Sequence, residues 1–174
     1  MYKFSKQQNL KIDEAIKLVS HRIKRADKPV LFHSLKITFY LLSKGYSGEI
    51  ITASILHDLI EDSDFSAKDI KKKFGKEVYR LVQAVSYNSK IKDSVQRYHE
   101  MFARTNSTGP KALIIKAADI YDNSHFYYQV KNKVERTKLL NKVDYFLNIS
   151  KPKIGSTEVW QDLNNQYHQL KKIL

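Results

Sequence analysis

Apolar residues recur at helical spacing along almost the whole chain, and no convincing two-residue alternation with hairpin turns interrupts them. Ile12, Ala15, Ile16, Val19 and Ile23 follow the i, i+3, i+4, i+7 rule and predict a first amphipathic helix. Phe32, Leu35, Phe39 and Leu42 predict the buried stripe of a second, which should stop at Gly45. Ile51, Ile55 and Leu59 carry a third helix containing His57, Asp58, Glu61 and Asp62. Ser66 followed by Asp69 resembles a capping box, and Gly75 is placed to end the short helix between. Val78, Leu81, Val82 and Val85 form the cleanest stripe, and Val95, Tyr98 and Phe102 a weaker one. Thr108-Gly109-Pro110 reads as a turn into a helix through Leu113, Ala117 and Tyr121, with Pro110 in its first turn, where no donor is missed. Another helix should cover the 130s and 140s up to a break at Pro152–Gly155, and Trp160, Leu163, Tyr167, Leu170 and Leu174 mark the last. The expected fold class is all-α.

At 174 residues, with no internal repeat and no linker, the chain is expected to form a single domain over residues 1–174. It has no cysteine, which excludes disulfides, thiolate zinc sites and cysteine nucleophiles. The opening MYKFSKQQNLKIDEAIK has no apolar run after its charges, so a secretory signal is not expected. No stretch approaches the ~18 uncharged residues that a membrane span needs, so a cytoplasmic protein without a membrane partner is expected. Lys and Arg outnumber Asp and Glu by 31 to 18, a formal charge of +13. Such a field attracts polyanions such as nucleic acid, an acidic membrane face or a phosphate-rich small molecule. A lysine-rich solvated surface is the plain alternative, and charge alone does not choose.

The chemistry is concentrated in Ile55-Leu56-His57-Asp58-Leu59-Ile60-Glu61-Asp62-Ser63-Asp64, where one imidazole and four carboxylates fall within eight positions. On a helix, adjacent His57 and Asp58 point about 100° apart, so they converge on something central and sizeable, such as a metal ion. Imidazole with carboxylate suits zinc, manganese or iron better than calcium. No second histidine follows at i+4, so this is not a helical HExxH zinc site. A histidine–aspartate pair is common by chance and an acidic helix end is usually solvated. Here, however, apolar Ile55, Leu56, Leu59 and Ile60 surround the charges, and buried carboxylates without partners are costly. His33, within Val30-Leu31-Phe32-His33-Ser34-Leu35, and Asp119, within Ile114-Ile115-Lys116-Ala117-Ala118-Asp119-Ile120, sit in similar apolar company. His21, His99, His125 and His168 lie among polar neighbours and are set aside.

The order His33, His57-Asp58, Asp119 resembles the H…HD…D signature of the HD-domain metal-dependent phosphohydrolases. His57-Asp58-Leu59-Ile60-Glu61-Asp62-Ser63 is similar to the corresponding segment of guanosine 3′,5′-bispyrophosphate hydrolases, the hydrolase half of RelA/SpoT homologues and their small single-domain relatives. Phe74-Gly75-Lys76-Glu77-Val78 and Lys116-Ala117-Ala118-Asp119 through Asn123 resemble two further stretches of that family, as do Lys24-Arg25 and Pro29 upstream of His33. The resemblance runs from about residue 8 to the C-terminus. It implies a compact multi-helix HD-domain bundle acting as a stand-alone alarmone hydrolase. That enzyme would remove the 3′-diphosphate of (p)ppGpp, giving GDP or GTP and pyrophosphate.

Position by position, the resemblance implies that His33, His57, Asp58 and Asp119 hold one divalent ion, Mn²⁺ by family likeness, with Zn²⁺ or Fe²⁺ as alternatives. Glu61 and Asp62 would handle the attacking water, Lys24 and Arg25 would meet base and phosphates, and Lys116 and Asn123 would line the nucleotide site. The departures fall on the loop implied to face the base. Lys24 stands where the family has Arg, Ala26-Asp27 replace Ser-Gly, Val30 replaces Tyr, and Ser34 replaces Pro. Three other functions remain open at this stage: an HD hydrolase of another nucleotide, a non-catalytic nucleotide sensor, and a nucleic-acid-binding helical protein. The last leaves the His-Asp cluster unexplained.

Overall fold

The structure, a computed structural model, describes residues 4–22 and 29–173. Among these residues all regular structure is helical. The order is α1 (Lys6–Arg22), α2 (Val30–Ser43), α3 (Glu49–Leu56), α4 (Leu59–Asp62), α5 (Ala67–Phe74), α6 (Lys76–Val85), α7 (Ser94–Thr108), α8 (Pro110–Ser124), α9 (Lys133–Ile154) and α10 (Glu158–Ile173), with a 3-10 turn at Tyr127–Gln129 between α8 and α9. The expected all-α fold is what the chain adopts.

Two helices lie at the centre, buried on every side, with mostly apolar residues along the buried stretches. Residues 50–56 of α3 are all buried, as are residues 112–120 of α8. The others pack one apolar face around them: α1, α2 and α6 against α3, and α2, α6, α7 and α10 against α8. Ile51, Ile55, Leu56, Leu81, Phe102, Leu113 and Phe146 are among the largest side chains sealed in the resulting core. The boundaries follow local chemistry. Ser66 accepts from the Asp69 amide and starts α5. Gly75, at φ +96°, ends α5 and opens α6, and Gly109, at φ +112°, does the same between α7 and α8. Both angles lie where a side chain would clash with its own backbone.

Three local expectations are corrected. The buried face of α2 is Val30, His33, Ser34, Ile37, Thr38 and Leu41, whereas Phe32 and Phe39 are each 64% exposed. The helix turns its more polar face inward because those polar groups have partners there: the Thr38 hydroxyl donates to Ser34 O at 2.8 Å and meets Ser54 Oγ at 2.9 Å. The helix carrying His57 and Asp58 is not continuous either. It stops at Leu56 and resumes at Leu59, with Asp58 relaxed to φ −91°, ψ −6°. Finally, α9 passes through Pro152 and ends at Gly155, whose amide bonds Lys151 O at 2.9 Å. The proline removes one donor from the last turn, and the burial of Ile154 holds that turn in place.

Candidate metal centre

α2, the α3–α4 junction and α8 meet at one buried point, where each contributes a ligand-type side chain to a shared centre. His33 comes from the first turns of α2, His57 and Asp58 from the junction, and Asp119 from the middle of α8. Donor atoms of His33, His57 and Asp58 all lie within 4.8 Å of one another, close enough to hold a single ion. Asp119 Oδ1 is 3.2 Å from His33 Nε2 and 3.8 Å from His57 Nε2. The break after Leu56 matters for this geometry. Releasing the helix at Asp58 lets its carboxylate return to within 3.1 Å of the neighbouring imidazole, which a rigid helix would hold apart.

The protonation pattern fits a cation. His57 Nδ1 donates to Ser54 O at 2.8 Å, which leaves a lone pair on Nε2. That Nε2 is buried with no hydrogen-bond partner, yet it stands 3.1 Å from Asp58 Oδ1. A lone pair set against a carboxylate oxygen in a dry site is repulsive, and a metal ion turns the same arrangement into ligation. Burial pushes the His57 pKa below its ordinary value, against the pull of Asp58 and Asp119, so the ring stays neutral as a ligand must. His33 is oriented likewise, its Nδ1 donating to Asp122 Oδ2 at 2.7 Å while Nε2 faces the centre.

Burial by itself would raise the Asp119 carboxyl. The charge of Lys116 outweighs it and holds the group well below its usual range. Lys116 is 6% exposed and its Nζ lies 2.9 Å from Asp119 Oδ2. Desolvation pulls its pKa down, but attraction to Asp119 and Glu61 wins and the ammonium is held above its ordinary value. Asn123 Nδ2 donates to Asp119 Oδ1 at 2.6 Å. Lys116 and Asn123 therefore both clamp the same carboxylate.

Glu61 accepts from the Tyr87 amide at 2.7 Å. Burial raises its carboxyl to about 8, opposed by Lys116 and supported by Asp58 and Asp119, so it feels the fields of the central cluster. Asp62 closes α4 and is partly buried. Lys24 and Arg25 lie outside the described residues. The sequence reading missed Asp122, one turn after a recognised residue on α8, because an acid near a helix end carries no distinguishing local signal.

The HD-domain family model matches residues 12–142. A guanosine-3′,5′-bis(diphosphate) 3′-pyrophosphohydrolase of Aquifex aeolicus is 31% identical over 103 residues, covering 58% of this chain and 15% of that protein. The corresponding enzyme MESH1 of Drosophila melanogaster is 34% identical over 74 residues, 42% of this chain and 41% of its own. Mouse MESH1 is 28% identical over 114 residues, 66% of this chain and 58% of its own. The chain thus spans a small part of the large bacterial relative and about half of the metazoan ones. Among solved structures, a metazoan SpoT orthologue reported to hydrolyse ppGpp superposes with a TM-score of 0.79 at 20% identity, covering 100% of both chains. A Listeria monocytogenes protein gives 0.70 at 19% identity over 79% of this chain and 94% of its own. With the family's pattern met across most of its length and the ligand-type side chains gathered at one buried point, this chain belongs to the HD-domain family.

Proposed function

We propose that the chain is a single-domain, cytoplasmic, metal-dependent phosphohydrolase that removes the 3′-diphosphate of (p)ppGpp. The observation that carries this reading is the orphaned, buried His57 Nε2, facing Asp58 and Asp119 beside His33. The relatives named as (p)ppGpp pyrophosphohydrolases supply the substrate class. His33, His57, Asp58 and Asp119 would hold one divalent ion, Mn²⁺ in our reading. When bound, such an ion neutralises phosphate oxygens and makes water more acidic.

The chain's own groups divide the remaining work. Glu61, fixed by the Tyr87 amide, would accept a proton from the attacking water once the burial that holds its carboxyl at about 8 is offset by a bound cation, with Asp62 as its neighbour on α4. Water adds to the phosphorus next to the ribose, the bond to the 3′-oxygen breaks to release pyrophosphate, and that oxygen takes the proton held by Glu61 as GDP or GTP leaves. Lys116 and Asn123 serve the nucleotide site through Asp119, which they hold in place. Lys24 and Arg25 would meet the base and phosphates from the segment before α2.

Purified protein incubated with Mn²⁺ and ppGpp should release pyrophosphate. Chelation should abolish that release and fresh Mn²⁺ restore it. His57→Ala and Asp58→Ala should each lower kcat by at least about 100-fold. Turnover that survives chelation refutes the metal role. Faster turnover of another nucleotide in a side-by-side panel refutes the substrate.

A further inference from the structure

A cleft of about 260 Å³ separates α7 from α9, with Met101 and Leu139 among its apolar lining and Arg97, Lys138 and Lys142 as its cations. Tyr87 lines it too, and the backbone amide of Tyr87 is the group that holds Glu61, so the cleft adjoins the metal centre. The one carboxylate in its lining, Glu135, is 3.7 Å from Lys138. Arg97 lies over the Tyr87 ring at 4.9 Å and, among the described residues, forms no ion pair.

Lys142 is the unusual member. Among the described residues its ammonium has neither a hydrogen bond nor an ion pair, although α9 carries it inward. Burial, reinforced by repulsion from Lys116 and Arg97, pushes its pKa below the ordinary lysine value, and attraction to Asp119 and Glu61 does not restore it. Lys116 is more deeply buried, but it has Asp119 at 2.9 Å and is shifted the other way. A partly buried cation set beside other cations and without an anionic partner costs stability, and an anion entering the cleft would remove that cost. A diphosphate held at the metal centre carries a second anionic group that could extend into the adjoining cleft.

We propose that Lys142, with Arg97 across the cleft, anchors the outer phosphate of the departing diphosphate and so favours substrates whose scissile group is a diphosphate over those with a monophosphate. This rests on the phosphohydrolase reading and adds a selectivity that the ligand cluster alone does not provide. A lysine suits the role as a point charge that a terminal phosphate meets from several directions.

The test is calorimetric binding of pyrophosphate and of orthophosphate to the Mn²⁺-loaded protein, in the wild type and in Lys142→Met. The wild type should bind pyrophosphate about tenfold or more tightly than orthophosphate. Lys142→Met should lose about tenfold in pyrophosphate affinity while orthophosphate stays within about twofold. Because Met fills the same space without a charge, the ligand-free variant should melt at or above the wild-type temperature; Lys142→Gln serves as a second neutral variant, and Lys142→Arg should recover most of the binding. Unchanged pyrophosphate affinity in both neutral variants overturns the inference, as does equal loss for both anions. Lys142-dependent pyrophosphate binding without (p)ppGpp turnover refutes the nucleotide substrate alone. Turnover with unchanged KM and pyrophosphate affinity in Lys142→Met refutes the anchor alone.

Discussion

The Asp122 carboxylate takes the Nδ1 proton of His33 on one oxygen at 2.7 Å and the Lys36 ammonium on the other at 2.5 Å. Burial would raise this carboxyl, but the two donors hold it below its usual value, so it stays ionised and fixes the His33 tautomer. Asp122→Asn preserves the size and removes the charge. It should leave the helical content unchanged by circular dichroism and weaken divalent-ion binding by about 10–100-fold in isothermal titration. Undiminished affinity would show that His33 keeps its orientation without help. His33, His57, Asp58 and Asp119 were legible from sequence because charged or imidazole groups stood in apolar runs, where a polar residue needs a reason. Asp122 carries the same kind of interaction without that contrast, since its neighbours Tyr121 and Asn123 are partly polar. Its partner lies 89 residues away in sequence, beyond the reach of any local pattern.

At the level of helices, α2 is fixed to α10 as well as to the metal centre. Tyr40 donates its hydroxyl proton to Asp162 at 2.7 Å, while Lys44 lies 2.8 Å from Asp162 and 2.9 Å from Glu158. Burial acts to raise the Asp162 carboxyl, but the hydrogen bonds from Lys44 and Tyr40 outweigh it and hold it below its ordinary value. A carboxyl with a depressed folded-state pKa contributes stability above its unfolded value and loses it as pH falls through the folded value. Asp162→Asn should therefore cost about 1–2 kcal/mol at pH 7 by urea denaturation, and the gap to wild type should close as pH drops below about 4. A gap independent of pH would locate the loss in packing instead. The ends of helices were legible where a single residue decides them, as at Ser66, Gly75 and Gly109. The inward face of α2 was not, because Phe32 and Phe39 outscore His33, Ser34 and Thr38 in hydrophobicity, and the polar face wins through partners on other helices. The break at His57-Asp58 was equally hidden: the apolar spacing of Ile51, Ile55 and Leu59 continues across it.

For the molecule as a whole, the +13 charge and the buried anionic cluster act at different distances. Inside the site, Asp58 and Asp119 beside the neutral imidazoles demand a cation at contact range. Outside it, the excess of lysine and arginine presents a positive field, and the last turn of α5 alone carries Lys71, Lys72 and Lys73. A field of one sign raises the encounter rate with an oppositely charged substrate, and salt removes the effect as the screening length falls from about 30 Å at 0.01 M to about 8 Å at 0.15 M. If steering is what the charge does, kcat/KM for (p)ppGpp should fall about tenfold or more across that range, while kcat at saturating substrate stays nearly constant. Sucrose at matched viscosity should reproduce any diffusional loss but not the screening. A flat kcat/KM would reduce the charge to a matter of solubility. A kcat that falls in parallel would place the decisive cations in the site itself and not in the long-range field.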